Sequence, residues 1–205
     1  MTDAVAVLLP EAELLVAAET MLVEVLGRIR PEDRQIEFPE MPDLPCAPGE
    51  TSLWAAVERY AADEAGVPAR LACVAKIPSC PGLDIAAPQG VIMAFADMAT
   101  AAARAVQDGD APVEAPWGTV PARDYLLRLT VTRSLLAHYI AAYLGSTACP
   151  LPEDLARQLF ELTAPSVEVW RAAGIFRESL PVPPLASWRD RFLLTAGHLP
   201  HPLGH

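Results

Sequence analysis

The chain has 205 residues, a length typical of one domain or of one domain with a small appendage. Its composition, 52% hydrophobic but only 6% aromatic, favours a core of Ala, Leu and Val, which suits closely packed helices. Fifteen basic against 26 acidic residues give a net charge of −11, which argues against nucleic acid and anionic membranes as partners, because a phosphate-binding surface needs an excess of Lys and Arg.

The first half of the chain predicts two helices separated by a proline-rich loop. Apolar residues recur at three- and four-residue spacing over about 11–28, which predicts the first helix. A loop follows over 31–51 with five prolines, and a second helix is predicted over about 52–65, where Gly66-Val67-Pro68 ends it. A short helix or strand near 70–76 fits the next segment.

The second half predicts four more helices, at about 88–107, 122–144, 152–162 and 187–196. The stretch Asp108-Gly109-Asp110 stops the first of them, and the segment 111–121 is expected to be a loop. Four long helices with long connections indicate a mainly α fold, an antiparallel four-helix bundle over 1–150. Residues 151–205 are expected to form a C-terminal helical extension packed on the bundle, with a flexible tail.

The expected setting follows from what the sequence lacks. No stretch reaches eighteen uncharged apolar residues, so we expect no membrane-spanning helix. The N-terminal segment lacks the basic start of a signal peptide. We therefore expect a cytoplasmic monomer or homodimer that binds a small molecule between its helices and has neither nucleic acid nor membrane as a partner.

Standard catalytic and metal-binding motifs are missing. The sequence contains no P-loop, no G-x-S-x-G and no H-E-x-x-H, and its four cysteines show no C-x-x-C spacing. Three of the four histidines, His198, His201 and His205, close the chain among prolines. We expect a disordered tail there, because a frayed end gives no fixed ligand geometry.

The predicted helix 122–144 carries the residues that most suggest a site. His138 is either a satisfied core residue or a proton carrier, because imidazole titrates near neutral pH. Arg133, if buried, needs an anion nearby, since an unpaired buried charge is costly. Glu58 of the second helix, Asp124 or a bound ligand could supply it.

Aromatic side chains could line an apolar pocket between the helices. The candidates are Trp54, Phe95, Tyr125, Tyr139 and Tyr143. Core packing is the alternative interpretation, since aromatic residues dominate ordinary cores, although helical bundles also place ligand sites between facing helices.

Three stretches together are similar to one known family: DLPCAPGETSLWAAVERY at 43–60, PWGTVPARDYLLRLTVTRSLLAHYIAAYLGS at 116–146 and VEVWRAAGIFRESLPVPPLASWRDRFLLTAGHLP at 167–200. In order and spacing they resemble the mycothiol-dependent maleylpyruvate isomerase group of the DinB-like superfamily, of actinobacterial type. The resemblance implies a DinB-like bundle. It also implies a metal site built from a His of the second helix and a carboxylate and a His, four residues apart, on the fourth.

The implied ligand positions hold other residue types here. They fall at about Val57, at Arg133 and at Ala137. Shifting the register to use His138 puts Ser134 at the carboxylate position, so no register restores three ligands. A guanidinium would also repel a cation. We therefore expect a degenerate site with no metal and no cofactor.

The function expected is that of a metal-free small-molecule enzyme of isomerase, cyclase or thiol-linked transferase type, with specialised metabolism as its setting. The candidate catalytic residues are His138, Tyr139 and Glu58, and the candidate substrate-binding residues are Arg133, Trp54, Tyr143 and Phe95. The alternative is a non-catalytic ligand-binding or accessory protein. An intact mycothiol-dependent metalloenzyme is less favoured than either.

Overall fold

The computed structural model describes residues 8–38, 51–72, 88–146 and 149–200, and it confirms a mainly helical fold. The helices are α1 (Pro10–Leu26), α2 (Leu53–Leu71), α3 (Pro88–Ala105), α4 (Ala122–Tyr143), α5 (Glu153–Thr163), α6 (Val167–Ala172) and α7 (Trp188–Thr195). Short 3₁₀ segments cover Pro31–Gln35 and Ala164–Ser166. Across these ranges, no helix has both the length and the apolar character needed to cross a membrane.

The second helix is longer than its sequence predicts. It was expected to end at Gly66-Val67-Pro68, but α2 runs through these residues to Leu71. Pro68 lies in the last turn, where its ring removes one backbone hydrogen bond but its fixed φ still suits a helix. Val67 and Leu71 are fully buried in an apolar cluster, and this burial outweighs the breaker residues. The structure expected near 70–76 falls mostly outside the described residues.

The segment predicted as the loop 111–121 contains a β-hairpin. Strands β1 (Pro112–Ala115) and β2 (Gly118–Pro121) pair antiparallel, and Val113 lies opposite Val120. Four-residue strands bounded by prolines carry too few alternations to be recognised from a sequence pattern. Gly118 has a φ of 124°, a conformation that favours glycine. The hairpin presents Trp117 at its turn, beside the start of α4.

The helices pack around two apolar clusters. Helix α1 packs against α4 and α3, and α3 packs against α2. The larger cluster joins α1, α2 and α4 to the C-terminal helices, so that Leu136 and Ile140 share one core with Leu155 and Phe192. The smaller cluster lies near the hairpin. Helices α2 and α4 face each other mainly through long side chains, and a site forms between them.

Candidate functional site

Arg133 is the centre of a buried cluster of charges between α1, α2 and α4. Its side chain is only 1% exposed. Its Nε donates to Glu64 at 2.6 Å and lies 3.3 Å from Glu19, and its Nη2 donates to Asp63 at 2.5 Å and also contacts Glu64. The Tyr60 hydroxyl donates to Glu19 at 2.5 Å, and the guanidinium carbon lies 5.0 Å from the Tyr60 ring centroid. A guanidinium suits this place because its five donors can satisfy several carboxylates.

The sequence builds this cluster from helical spacing. Tyr60 and Glu64 are four residues apart on α2, so they share the face that points inward. Helix α4 is buried on all sides from Leu129 to Ala142, so Arg133 has no route to solvent along its own helix. Asp63 lies one position before Glu64 and reaches the rim, where its side chain is partly exposed.

The cluster holds more carboxyl groups than cations, and it therefore retains a proton. Burial raises the pKa of Glu64 to about 8 despite the nearby Arg133, and burial also raises the pKa of Glu19. Burial acts to raise the pKa of Asp63 as well, but Arg133 and Arg70 together hold that pKa below its usual value. Glu19 and Glu64 both lie against Arg133, and the negative charge of Glu19 adds to the effect of burial in raising the pKa of Glu64.

A cleft of about 400 Å³ lies beside this cluster, between α2, α4 and the turn of the hairpin. Among the described residues, four of the chain's fifteen basic residues line it, whereas Asp63 is the one acidic residue. The four are Arg59, Arg70, Arg128 and Arg133. On a chain with a net charge of −11, this cleft is a local concentration of positive charge.

The cleft arginines differ in how they are held. Arg70 donates to Asp63 at 3.0 Å and to the Tyr125 hydroxyl at 3.3 Å. The guanidinium carbon of Arg128 lies 3.8 Å from the ring centroid of Trp117. The Nε and Nη1 of Arg59 are buried, and they have no hydrogen-bond acceptor within the part of the chain that the structure describes. An unsatisfied buried donor costs about 1–3 kcal/mol, so an acceptor for Arg59 would be stabilising.

Gly66 gives Arg70 the space to lie along α2. A Cβ at this position would come within 2.8 Å of Arg70 Nη2. The absence of a side chain therefore lets the guanidinium fold back over the helix towards Asp63. This close approach explains a glycine inside a helix, where it would otherwise cost about 1 kcal/mol relative to alanine.

A second polar cluster lies on another part of α4, beneath the end of α7. The Tyr139 hydroxyl and His198 Nδ1 are 2.5 Å apart, and the Nε2–H of His138 donates to the Leu199 carbonyl at 3.0 Å. Burial, together with the nearby Arg177 and His138, lowers the pKa of His198 to about 3, so its imidazole is neutral. These rings fasten the C-terminal segment to α4.

The expectation of a disordered tail is wrong at His198. Gly197 follows α7 with a φ of 79°, its N–H donates to the Leu194 carbonyl, and the His198 N–H donates to the Leu193 carbonyl. These two bonds form the helix-ending arrangement known as the Schellman motif, which turns the chain back onto the core. His201 and His205 lie outside the described residues.

Of the remaining predicted site residues, the structure brings Trp54 and Glu58 together and places Phe95 and Tyr143 elsewhere. Glu58 is exposed and accepts a hydrogen bond from Trp54 Nε1 at 2.8 Å. Phe95 is half-buried on α3, and the ring of Tyr143 packs 5.2 Å from that of Phe38. These contacts do not involve His138 or Tyr139.

Glu58 was one of three anions considered for Arg133, and this pair is not formed. Glu58 points to solvent, and Arg133 instead binds Asp63 and Glu64, about one and a half turns later on α2. The cleft residues Arg59, Arg70 and Arg128 were missed, because they belong to no local motif. The available signals were the scarcity of basic residues and a glycine four positions before Arg70.

The implied metal positions do not fit a metal ion. Val57 and Ala137 are buried in the larger apolar cluster, where neither offers a ligand atom. Arg133 places a positive charge among the carboxylates, and this charge would repel a metal cation. The described parts of the chain contain no group of three or more His, Cys, Asp or Glu side chains arranged to hold a metal.

Comparison with known proteins identifies no family, because the chain matches no protein-family model, no curated protein and no solved structure. The geometry and charge of the cleft are therefore the starting point for inferring a function.

Proposed function

We propose that this protein binds a small organic anion in the cleft between α2 and α4. The observation that carries the proposal is the lining of this cleft, in which Arg59 joins three further arginines; within the described residues, its Nε and Nη1 donors have no acceptor. A carboxylate or phosphate oxygen would satisfy them through charge-assisted hydrogen bonds, which are about twice as strong as neutral ones. The cleft volume of about 400 Å³ lies within the range of about 300–1,000 Å³ that small-molecule sites occupy.

The other cleft residues have supporting roles in this proposal. Asp63 holds Arg70 and Arg133 in place, so their guanidinium groups are oriented before a ligand arrives. Arg128 stacked on Trp117 offers a flat surface with a positive charge beside an aromatic ring. An anion with an attached apolar or aromatic part therefore matches the lining better than an inorganic ion.

Isothermal titration with benzoate and phenyl phosphate tests the proposal, with benzamide as the neutral analogue. Because a hydrogen bond to a charged group contributes about 1.5–3 kcal/mol, we expect Arg59→Gln to weaken anion binding by about tenfold or more. Arg157→Gln is the matched control, since Arg157 lies on α5 in an exposed ion pair. If neither anion binds the wild-type protein, or if benzamide binds equally well, the proposal is wrong.

A metal-free enzyme of isomerase or cyclase type is the second candidate. The raised pKa of Glu64, about 8, favours it, because a carboxyl group with a pKa near the working pH is a suitable general acid. Glu64 and Asp63 both bind Arg133, and Asp63 and Arg133 line the cleft, so the carboxyl group with the raised pKa lies next to the proposed binding space. The test is the rate of solvent deuterium incorporation next to the carbonyl of phenylpyruvate. We expect the wild type to accelerate this deuterium incorporation and Glu64→Gln to remove the acceleration while phenylpyruvate still binds. If the wild type does not accelerate it, the enzyme candidate is wrong and only the binding proposal stands.

We also infer that α1–α4 form an antiparallel, DinB-like four-helix bundle in which Arg133 replaces the family's metal ion. Four helices of 17 to 22 residues support this inference, as does the gathering of carboxylates around one guanidinium. We place the protein in the cytoplasm, as a monomer or homodimer, with a role in specialised metabolism. Metal analysis of protein purified without a histidine tag tests whether Arg133 replaces the metal ion. One tightly bound equivalent of metal would contradict that replacement.

A further inference from the structure

A second groove lies on the other side of the Arg128–Trp117 pair. It has a volume of about 370 Å³ and runs between the start of α4 and the segment that joins α5 to α6. Its lining is mainly apolar, and it includes Leu127, Leu162, Val169 and Trp170. Leu162 is 43% exposed and Val169 is 68% exposed, so the groove leaves apolar surface in contact with water.

The groove and the arginine cleft share a wall. Trp117 and Arg128 border both of them, so one molecule lying across the indole ring can reach both spaces. Their charges differ. Among the residues that the structure describes, the cleft has four arginines against one aspartate, whereas the groove has Arg128 itself against Asp124. An anionic group is therefore favoured on the cleft side, and an uncharged part is favoured in the groove.

We propose that the ligand is an amphipathic organic anion whose charged head binds in the arginine cleft and whose unbranched hydrocarbon tail binds in the groove lined by Leu162, Val169 and Trp170. The head position rests on the proposed function, whereas the tail position rests on the groove. Covering Leu162 and Val169 removes apolar surface from water, which stabilises the bound state in proportion to the area buried.

Titration with a series of straight-chain carboxylates tests the tail. The probes are butanoate, hexanoate, octanoate and decanoate, each below its micelle concentration. Because each buried methylene contributes about 0.8 kcal/mol, affinity is expected to rise by about fourfold per methylene, as long as the added carbons lie in the groove. Decylamine carries the opposite charge and an alkyl chain one methylene longer, and we expect it to bind at least about tenfold more weakly than decanoate.

Substitutions in the groove localise the tail. Leu162→Glu and Val169→Glu are expected to weaken decanoate binding by about tenfold while butanoate binding stays unchanged. The matched control is Leu185→Glu, since Leu185 is 98% exposed and lies outside both spaces. Val169→Ser replaces the glutamate variant if that variant does not fold, and a smaller loss for decanoate alone is expected.

The outcomes separate the two proposals. Equal affinities for butanoate and decanoate, both reduced by Arg59→Gln, would overturn the binding of a tail in the groove and would support the anion site in the cleft. If affinity rises with carboxylate length but the Leu162 and Val169 variants leave this rise unchanged, the tail does not bind in this groove. Decylamine binding as tightly as decanoate would overturn the placement of the head. Binding of no carboxylate of any length would overturn both proposals.

Discussion

The most unusual residue of this protein is an arginine buried in the place where the sequence resemblance implies a metal ligand. Arg133 is stabilised there because Glu19, Asp63 and Glu64 surround it. Buried charges are tolerated only when they are paired, and removing one partner of such a pair costs about 3–5 kcal/mol. The three carboxylates and the arginine therefore act as one unit, and their protonation is coupled to folding.

Glu64 should make stability depend on pH. Its folded-state pKa of about 8 lies above the ordinary value of 4.5, so the folded protein holds the proton more tightly than the unfolded chain. This stabilisation is complete below pH of about 4.5 and is lost as the pH rises through about 8. We expect urea denaturation to give a smaller free energy of unfolding at pH of about 8 than at about 5.5, and Glu64→Gln to reduce that difference. Exposed Glu161 provides the control Glu161→Gln. An identical pH dependence in wild type and Glu64→Gln would contradict this account.

At the scale of elements, a substitution at Gly66 of α2 is expected to affect ligand binding without lowering stability. In Gly66→Ala, the new Cβ meets the end of the flexible Arg70 side chain, which can move away at little cost. Since alanine favours a helix by about 1 kcal/mol over glycine, we expect unchanged or higher stability together with weaker benzoate binding. Gly90→Ala in α3 is the matched control, because a Cβ there meets nothing within 4 Å. Unchanged affinity in Gly66→Ala would show that the position of Arg70 does not matter for binding.

The contact between α4 and the C-terminal segment rests on a neutral His198. Its folded pKa of about 3 lies below the ordinary value of 6.5, so its stabilising effect is present above pH of about 6.5 and is lost as the pH falls towards 3. Tyr139→Phe removes the hydroxyl that lies against this ring, and we expect a loss of about 1–3 kcal/mol at pH of about 7, measured by urea denaturation. A loss of less than about 0.5 kcal/mol would mean that packing alone holds the segment.

Local patterns predicted the helices well and the site poorly. Helices α1, α3 and α4 carry regular apolar spacing, and each was predicted to within about two residues of its bounds. The hairpin and α6 are too short to show a period. The cleft depends on which helices are neighbours, and no spacing along the chain brings Arg59, Arg70 and Arg128 together. His198 was missed because its burial comes from the turn after α7.

At the scale of the whole molecule, the shared core predicts that residues 1–150 cannot fold alone. Removing the C-terminal helices would expose Leu136 and Ile140, which pack in one cluster with Leu155 and Phe192. We expect a chain of residues 1–150 to lose cooperative thermal unfolding and to bind a hydrophobic dye. Cooperative unfolding near the wild-type midpoint would instead show that this part is an independent domain.

The position of Trp117 has a practical consequence. Its indole borders both the cleft and the groove, and it is partly exposed beneath the guanidinium of Arg128. Light emission from an indole changes with the polarity and charge around the ring, so a ligand that displaces water or moves Arg128 would alter it. The chain thus carries an intrinsic fluorescent reporter at the boundary of its two binding spaces, and occupancy could be followed optically without attaching a label.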